Sequence, residues 1–327
     1  MTSLLPDQSD LPNQPEGLFS LSLPGLQIAW DSTSLGLLKE CPRKYYYTII
    51  LGWQPTGFAA HLSFGIALHK ALETYDKAKA ISGDHDHAVE EAVGFCLHYG
   101  HRSEAGDWTP YDSEFTREPS KTRETLLRAV VWYLDQYRED PFETLILSDG
   151  SPAVELSFKV NLKLQTPEGD PFLLCGHLDR VGKVGPHLYW MDRKTTKSDP
   201  NSRYWATFTP NNQMSLYHAA SQLIFHEPIS GGIIDAIQLG ATFARFRRHT
   251  ITRTPGQQAE WERDTYQWIS LATHFATANH WPQNDKACGN FGGCPFQIVC
   301  SRDPKIRKLV LENDDFIHRQ WNPLENR

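Results

Sequence analysis

Apolar residues recur at helical spacing through the first half of the chain, then alternate with polar ones through its middle. Ser32 and Ser34 precede the apolar-periodic stretch LGLLKE and can cap a short helix there, which Pro42 closes. The aromatic-rich KYYYTIILGW follows. Between Phe64 and Ala80 good helix formers dominate, with Leu68, Leu72 and Tyr75 at helical spacing. The pattern predicts a second helix over His87 to Tyr99. A third runs over Lys121 to Tyr137, where Leu126, Val130 and Leu134 recur every four residues. GDWTPYDSEF, between these two, reads as a loop.

After Pro141 the period shortens. AVELSFKVNLKL, from Ala153 to Leu164, alternates as a half-buried strand does. A turn over Gln165 to Asp170 leads to a second strand, PFLLCGHLDRVGKV, and Gly185-Pro186 turns into a third, HLYWMDRKTT. Three strands with short turns make an antiparallel meander. Helix returns over Asn212 to Phe225, a strand is expected over Ile233 to Phe246, and a helix over Gln257 to Asn279. The fold class that follows is α/β: a core sheet flanked by helices, with a helical insertion over residues 64–140. A single domain is expected over 26–327, after a disordered leader over 1–25 that holds Asp7, Asp10 and several prolines.

Composition narrows the classes. Hydrophobic residues at 40% of 327 supply a core, and no run of roughly 18 apolar residues is long enough for a membrane span. The N-terminus lacks the basic start and apolar stretch of a signal peptide, so a cytoplasmic location is expected. In that reducing setting six cysteines point to metal rather than disulfides. The net charge of −7 counts mildly against a nucleic-acid partner, although binding depends on local patches.

Candidate chemistry sits on the second and third strands. Asp192 and Lys194 lie two apart and share a face, as do His177 and Asp179 on the strand before. Two carboxylates beside a lysine suit phosphodiester hydrolysis: the acids hold Mg²⁺ or Mn²⁺, and the lysine orients water or stabilises charge on the phosphate. Asp-x-Lys alone is weak, because a solvated strand face has the same pattern. Its company adds weight. His69 and Glu73 share a helix face after Gly65, and Gln213 and Tyr217 do so on a later helix. His69 is a competent ligand for Mn²⁺, or else a core histidine.

In this order, Gly65/His69/Glu73, Gly176/Asp179/Arg180/Val181, Asp192/Lys194/Thr195 and Gln213/Tyr217, the chain resembles the RecB-like PD-(D/E)XK nucleases. That group includes bacterial recombination nucleases, exonuclease V-like enzymes and CRISPR-associated single-strand exonucleases. The resemblance covers roughly residues 30 to 302. It implies a metal-dependent deoxyribonuclease, an exonuclease on single strands or DNA ends. Its metal would be held by His69, Asp179, Asp192 and the main-chain carbonyl of Arg193, with Lys194 catalytic. Gln213 and Tyr217 would contact DNA or brace the site. Two positions depart from the pattern. Gly182 stands where an acidic residue often follows the D-R-V triplet, and Arg193 where an aromatic or apolar residue is common. Glu155, on the first strand, is a secondary site candidate or a surface charge.

The end of the chain carries CGNFGGCPFQIVC, with Cys288, Cys294 and Cys300 six apart inside a segment over 281–308. Cys41, in ECPRKYYY, is the candidate fourth ligand. In the family this arrangement holds a [4Fe–4S] cluster that clamps the two ends of the chain; Zn²⁺ would use the same thiolates. Cys96 and Cys175 read as buried fillers. Basic stretches at Arg43/Lys44, Arg245/Arg247/Arg248/Arg253 and Arg302/Lys305/Arg307/Lys308 are DNA-binding candidates, each equally readable as a solvated face. Tyr45, Phe243 and Phe246 are candidates for stacking on bases. Two rival functions remain: a non-catalytic DNA-binding or recombination partner, and a metal-cluster module that docks on another protein such as a helicase. No G-x-x-x-x-G-K-[ST] motif is present, so any helicase would be a separate chain.

Overall fold

Helix starts follow from local caps, one residue away from where the serines alone suggest. Asp31 accepts from the Ser34 N–H, and the Ser34 hydroxyl returns the bond, closing a capping box. The computed structural model describes residues 17–56, 60–102, 108–110 and 119–325. In chain order its elements begin with β1 (Ala29–Trp30), α1 (Ser32–Glu40), α2 (Pro42–Tyr45), β2 (Trp53–Pro55), α3 (Ala60–Ser82), α4 (His85–His98) and the short pair β3 (Gly100–Arg102) and β4 (Trp108–Pro110). Then come α5 (Arg123–Gln136), β5 (Phe142–Thr144), β6 (Val154–Gln165), β7 (Pro171–Val184) and β8 (His187–Thr196). The remainder is α6 (Ser202–Ala206), α7 (Asn212–Ile224), β9 (Ile229–Leu239), β10 (Ala244–Ile251), α8 (Pro255–Thr277), α9 (Gln297–Cys300), α10 (Arg307–Leu311) and β11 (Phe316–His318). The architecture is mixed α/β, a central mixed sheet with flanking helices.

Two compact units share the chain. The first takes Met1–Gly57, Ser157–Gly176 and Arg253–Arg327, so it gathers both ends of the sequence. Here β1 pairs in parallel with the start of β7, Ala29 opposite Leu173, and β2 pairs antiparallel with β11. Tyr45 is fully buried, stacked on Trp30 at 5.6 Å and packed on Trp281 at 5.2 Å. A second apolar cluster joins Tyr47, Phe296, Val299, Leu311 and Phe316. The part of the expected leader within the described residues is tied down: Phe19 bridges to Gln27, and Glu168 accepts from Ser20 and Ser22. Residues 1–16 lie outside the described residues.

The second unit takes Phe58–Leu156 and His177–Thr252. Its strands run in the order β7–β8–β9–β10, antiparallel, then parallel, then antiparallel, with β5 added beside β7. The parallel step requires a crossover, and α7 supplies it, packing on β8 and β9. Helices α3, α4 and α5 bury Leu68, Leu72, Ala92, Leu126 and Val130 together with Ile237 and Phe246 from the sheet.

Two expectations about elements need correction. The insertion over 64–140 is not wholly helical, because Trp108–Pro110, inside the expected loop, pairs with Gly100–Arg102. The strand expected over Ile233 to Phe246 is a hairpin: Gly240 donates to Phe243 across its turn, and the β-forming residues that follow hide the break. No helix among the described residues is long and apolar enough to cross a membrane.

Candidate active site

The second unit contains His69, Glu155, Asp179, Asp192, Lys194, Gln213 and Tyr217. On α3, His69 Nδ1 lies 3.5 Å from Asp179 Oδ2, and the Arg193 N–H donates to the same oxygen at 2.8 Å. Glu155 joins them: one ligand atom each from His69, Glu155 and Asp179 fall within 4.8 Å of one another. Glu155 adopts φ +52°, a left-handed conformation that a residue with a Cβ takes only where its surroundings compel it. In the sequence Glu155 is a secondary site candidate or a surface charge, and its ligand atom lies in this group.

Asp192 is buried at the edge of this group. Lys194 Nζ approaches its carboxylate at 2.8 and 3.0 Å and donates to Gln213 Oε1 at 2.9 Å. Gln213 in turn donates to the Tyr217 hydroxyl at 2.9 Å. Burial pushes the Asp192 carboxyl up to about 7; Lys194 opposes the shift, and the charge on Asp179 adds to it. The Tyr217 phenol is raised as well, by burial first and then by Asp192, Asp179 and Glu155. Among the described residues, Asp179 and Glu155 gather with His69, and Asp192 pairs with Lys194 beside them, a set of carboxylates that suits a divalent cation held by oxygen ligands.

The alternate residues of the same strands carry the opposite design. Arg193 NH2 lies 2.7 Å from Asp76 Oδ2, and Arg180 NH1 lies 3.2 Å from Asp76 Oδ1. Arg248 contacts Asp140 at 2.6 Å and Asp235 at 3.3 Å, and the Tyr133 hydroxyl donates to Asp235. Burial works against the charged Arg193, yet Asp76, Tyr133 and Asp235 together hold its pKa well above the usual range. This explains why an arginine replaces the apolar residue common at that position. Gly182 also has a physical cause: a Cβ there would lie 2.2 Å from the Glu143 carbonyl of β5, which pairs at this point. Sequence reasoning missed Asp76, whose partners lie more than a hundred residues away.

Other candidates sit elsewhere than expected. Glu73, on the His69 helix face by spacing, is held by Lys70 and Lys77, each at 2.7 Å. Arg180 points into the buried ion network, donating also to Thr144 Oγ1 and the Phe142 carbonyl, so it supports β7 rather than reaching outward. Arg248 is turned inward too, while Arg245 and Arg247 remain exposed. Tyr45 and Phe246 are buried and cannot stack on bases; Phe243 is exposed, with Arg245 over its ring at 5.0 Å. Arg43 donates to the Trp281 carbonyl, and Arg307 to the carbonyls of Cys300 and Arg302.

In the first unit, Cys41, Cys288, Cys294 and Cys300 line one cavity of about 80 Å³ with Lys44, Asn284 and Gln297. All four are free thiols. The Asn284 amide N–H points at Cys41 Sγ at 3.4 Å, and its side chain donates to the Glu40 carbonyl, joining the two ends of the chain. Burial pushes the thiols of Cys294 and Cys300 up. Among the described residues the cysteines form no group whose sulfurs all lie within 4.8 Å.

Two solved structures resemble the chain at low identity. That of SSO0001 has 12% identity, covers 75% of this chain and 76% of its own, and gives a TM-score of 0.32. That of a presumed exonuclease from Eubacterium rectale has 10% identity, covers 93% and 100%, and gives 0.45. No curated protein matches. The sequence profile of the PD-(D/E)XK nuclease superfamily matches residues 30–301, nearly the whole described chain, and the protein belongs to that superfamily.

Proposed function

We propose that this nuclease is a RecB-like, Mg²⁺- or Mn²⁺-dependent deoxyribonuclease that acts as an exonuclease on single strands or DNA ends. The observation that carries the reading is the Lys194 ammonium, fixed between Asp192 and Gln213 beside the His69–Glu155–Asp179 group. His69, Asp179, Asp192 and the Arg193 carbonyl would hold the cation, with Glu155 as a further ligand. When bound, a divalent cation there polarises the phosphate and makes water a better nucleophile.

The chain's own residues have separable tasks. The Arg193 N–H fixes the orientation of the Asp179 carboxylate, which would hold the cation. Gln213, braced by Tyr217, keeps Lys194 from swinging out, so its ammonium stays aimed at the phosphate oxygens. Without a cation the three carboxylates repel a phosphate, which ties substrate binding to metal loading.

End-labelled single-stranded, double-stranded and circular DNA, incubated with Mg²⁺ or Mn²⁺, test the reading against Asp192→Ala and Lys194→Ala. Wild type should shorten linear DNA and spare circles, Asp192→Ala should be inactive, and Lys194→Ala should lose about 10²–10³-fold. Full activity in both variants would sink the catalytic assignment, and nicking of circles would make the enzyme an endonuclease.

The cysteine cavity supports a [4Fe–4S] cluster in the first unit. Four free thiols lining one cavity are the usual ligand set for such a group, and Zn²⁺ would use the same thiolates. Anaerobically purified protein should show a broad absorbance near roughly 400 nm. Stoichiometric zinc without that band would assign the site to Zn²⁺.

A further inference from the structure

Between Lys194 and Gln213 the chain leaves the site and returns, and the Lys194–Gln213 hydrogen bond of 2.9 Å closes the excursion at its base. The excursion contains α6, whose N-cap Asn201 accepts from the N–H groups of Arg203 and Tyr204. Its aromatic residues form a stack. Trp205 lies over the His249 imidazole of β10, centroids 5.0 Å apart and planes 21° apart. Tyr204 meets Trp205 edge-on at 5.0 Å and Phe208 at 5.3 Å. Phe208 is buried, Tyr204 and Trp205 are half-buried, and His249 is exposed.

The excursion is also tied down along its length. Gln238 Nε2 donates to the Lys197 carbonyl at 3.2 Å, and Arg247 NH1 lies 3.7 Å from Asp199 and 3.5 Å from the Pro200 carbonyl. On β10, Arg245, Arg247 and His249 recur with period two and are all exposed, so they line one face of that strand. Asp199 offsets part of the Arg247 charge. Arg203, on the same helix, is a further exposed cation. A half-buried indole backed by an imidazole, next to a row of cations, combines the base-stacking surface and the phosphate track that unpaired DNA requires.

We infer that Trp205, supported by His249, is the stacking platform that receives an unpaired base of the DNA strand entering the Lys194 site. It is a positioning residue that touches substrate away from the reacting phosphate. The inference rests on the proposed nuclease function of this unit. Bases paired in a duplex present no free face to the indole, so the platform makes the enzyme prefer single strands.

Binding is measured with Ca²⁺ loading the carboxylates in place of Mg²⁺ or Mn²⁺, under conditions checked for absence of cleavage, using a fluorescent oligothymidylate and an abasic oligomer of the same length. Base–aromatic stacking contributes about 1–3 kcal/mol per base, a factor of roughly 5–150. Wild type should therefore bind the oligothymidylate more tightly than the abasic strand. Trp205→Ala should lose most of that ratio, Trp205→Phe should keep most of it, and His249→Ala should reduce it less. The ratio is taken within each variant, so a general loss of folded protein does not imitate the effect. An unchanged ratio in Trp205→Ala would overturn the platform while leaving the nuclease reading intact. Absence of DNA binding by wild type at low salt would overturn both.

Discussion

Asp179 and Arg180 are neighbours in sequence, as are Asp192 and Arg193, yet strand alternation sends the acids and the bases to different environments. The arginines enter a closed network in which Asp76, Asp140 and Asp235 face Arg180, Arg193 and Arg248, three carboxylates against three guanidiniums. The acids share their side with Glu155 and His69, where, among the described residues, Lys194 pairs with Asp192. Both regions gather acids and bases at close range. Balance, rather than the presence of charge, separates a structural ion cluster from a site able to take a metal and a phosphate. Helix α3 serves both regions, with His69 reaching Asp179 and Asp76, two turns on, holding both arginines.

The comparison breaks most severely if the balanced side is unbalanced. Asp76→Ala leaves Arg193 and Arg180 short of a buried counter-charge, and removing one partner of such a pair costs about 3–5 kcal/mol. Urea unfolding should show a shift of that size, and metal affinity should weaken because the Arg193 N–H no longer sits rigidly against Asp179. A change below about 1 kcal/mol would mean that water screens the network.

On the unbalanced side, Lys194→Ala should behave in the opposite way. It should lower kcat by about 10²–10³-fold, the usual cost of a lost charge-stabilising donor, with little loss of stability. Asp192→Asn should abolish cleavage and yet stabilise the metal-free protein, because it removes a buried carboxylate that burial already disfavours. A destabilised Asp192→Asn protein would show that the pair with Lys194 outweighs desolvation.

These two sides were unequally legible in the sequence. Asp192-x-Lys194 and the helical spacing of His69 follow from local periodicity, so their shared location was open to inference. Glu73 satisfied the same spacing but is taken by Lys70 and Lys77 on its own helix, a competition that spacing alone does not express. Asp76 looked like any acid on an amphipathic helix, since its partners come from β7 and β8. Arg248 read as a DNA-facing cation because the hairpin break at Gly240, which sets the phase of β10, was hidden among β-forming residues. Gly182 carried no local signal at all; only the arrival of β5 excludes a side chain there.

Titration sharpens the contrast further. The Asp192 carboxyl sits at about 7 in the folded protein against an ordinary carboxylate value near 4 when unfolded. Its raised pKa means that the neutral acid is favoured by folding. Its contribution to stability is therefore present below about pH 4 and is lost as pH rises toward 7. The metal-free protein should be less stable at pH 8 than at pH 5, and Asp192→Asn should flatten that slope. A cation needs the carboxylate, so metal affinity should fall about tenfold for each pH unit below 7. Isothermal titration with Mn²⁺ at pH 6, 7 and 8 checks the slope, and a pH-independent affinity would remove Asp192 from the ligand set.

The smallest expected effect concerns the backbone of Glu155. Its φ of +52° is costly for a residue with a Cβ and ordinary for glycine. Glu155→Gly should therefore relieve strain, while the greater freedom of glycine in the unfolded chain offsets part of the gain. The net stabilisation of the metal-free protein should be no more than about 1 kcal/mol. The same substitution removes a carboxylate from the His69–Asp179 group, so Mn²⁺ affinity should fall as stability rises. Glu155→Ala separates the two effects, because it removes the ligand and keeps the strain. If Glu155→Gly and Glu155→Ala were equally stable, the left-handed backbone would carry no energetic cost. If both kept wild-type Mn²⁺ affinity, Glu155 would belong to neither side of the comparison.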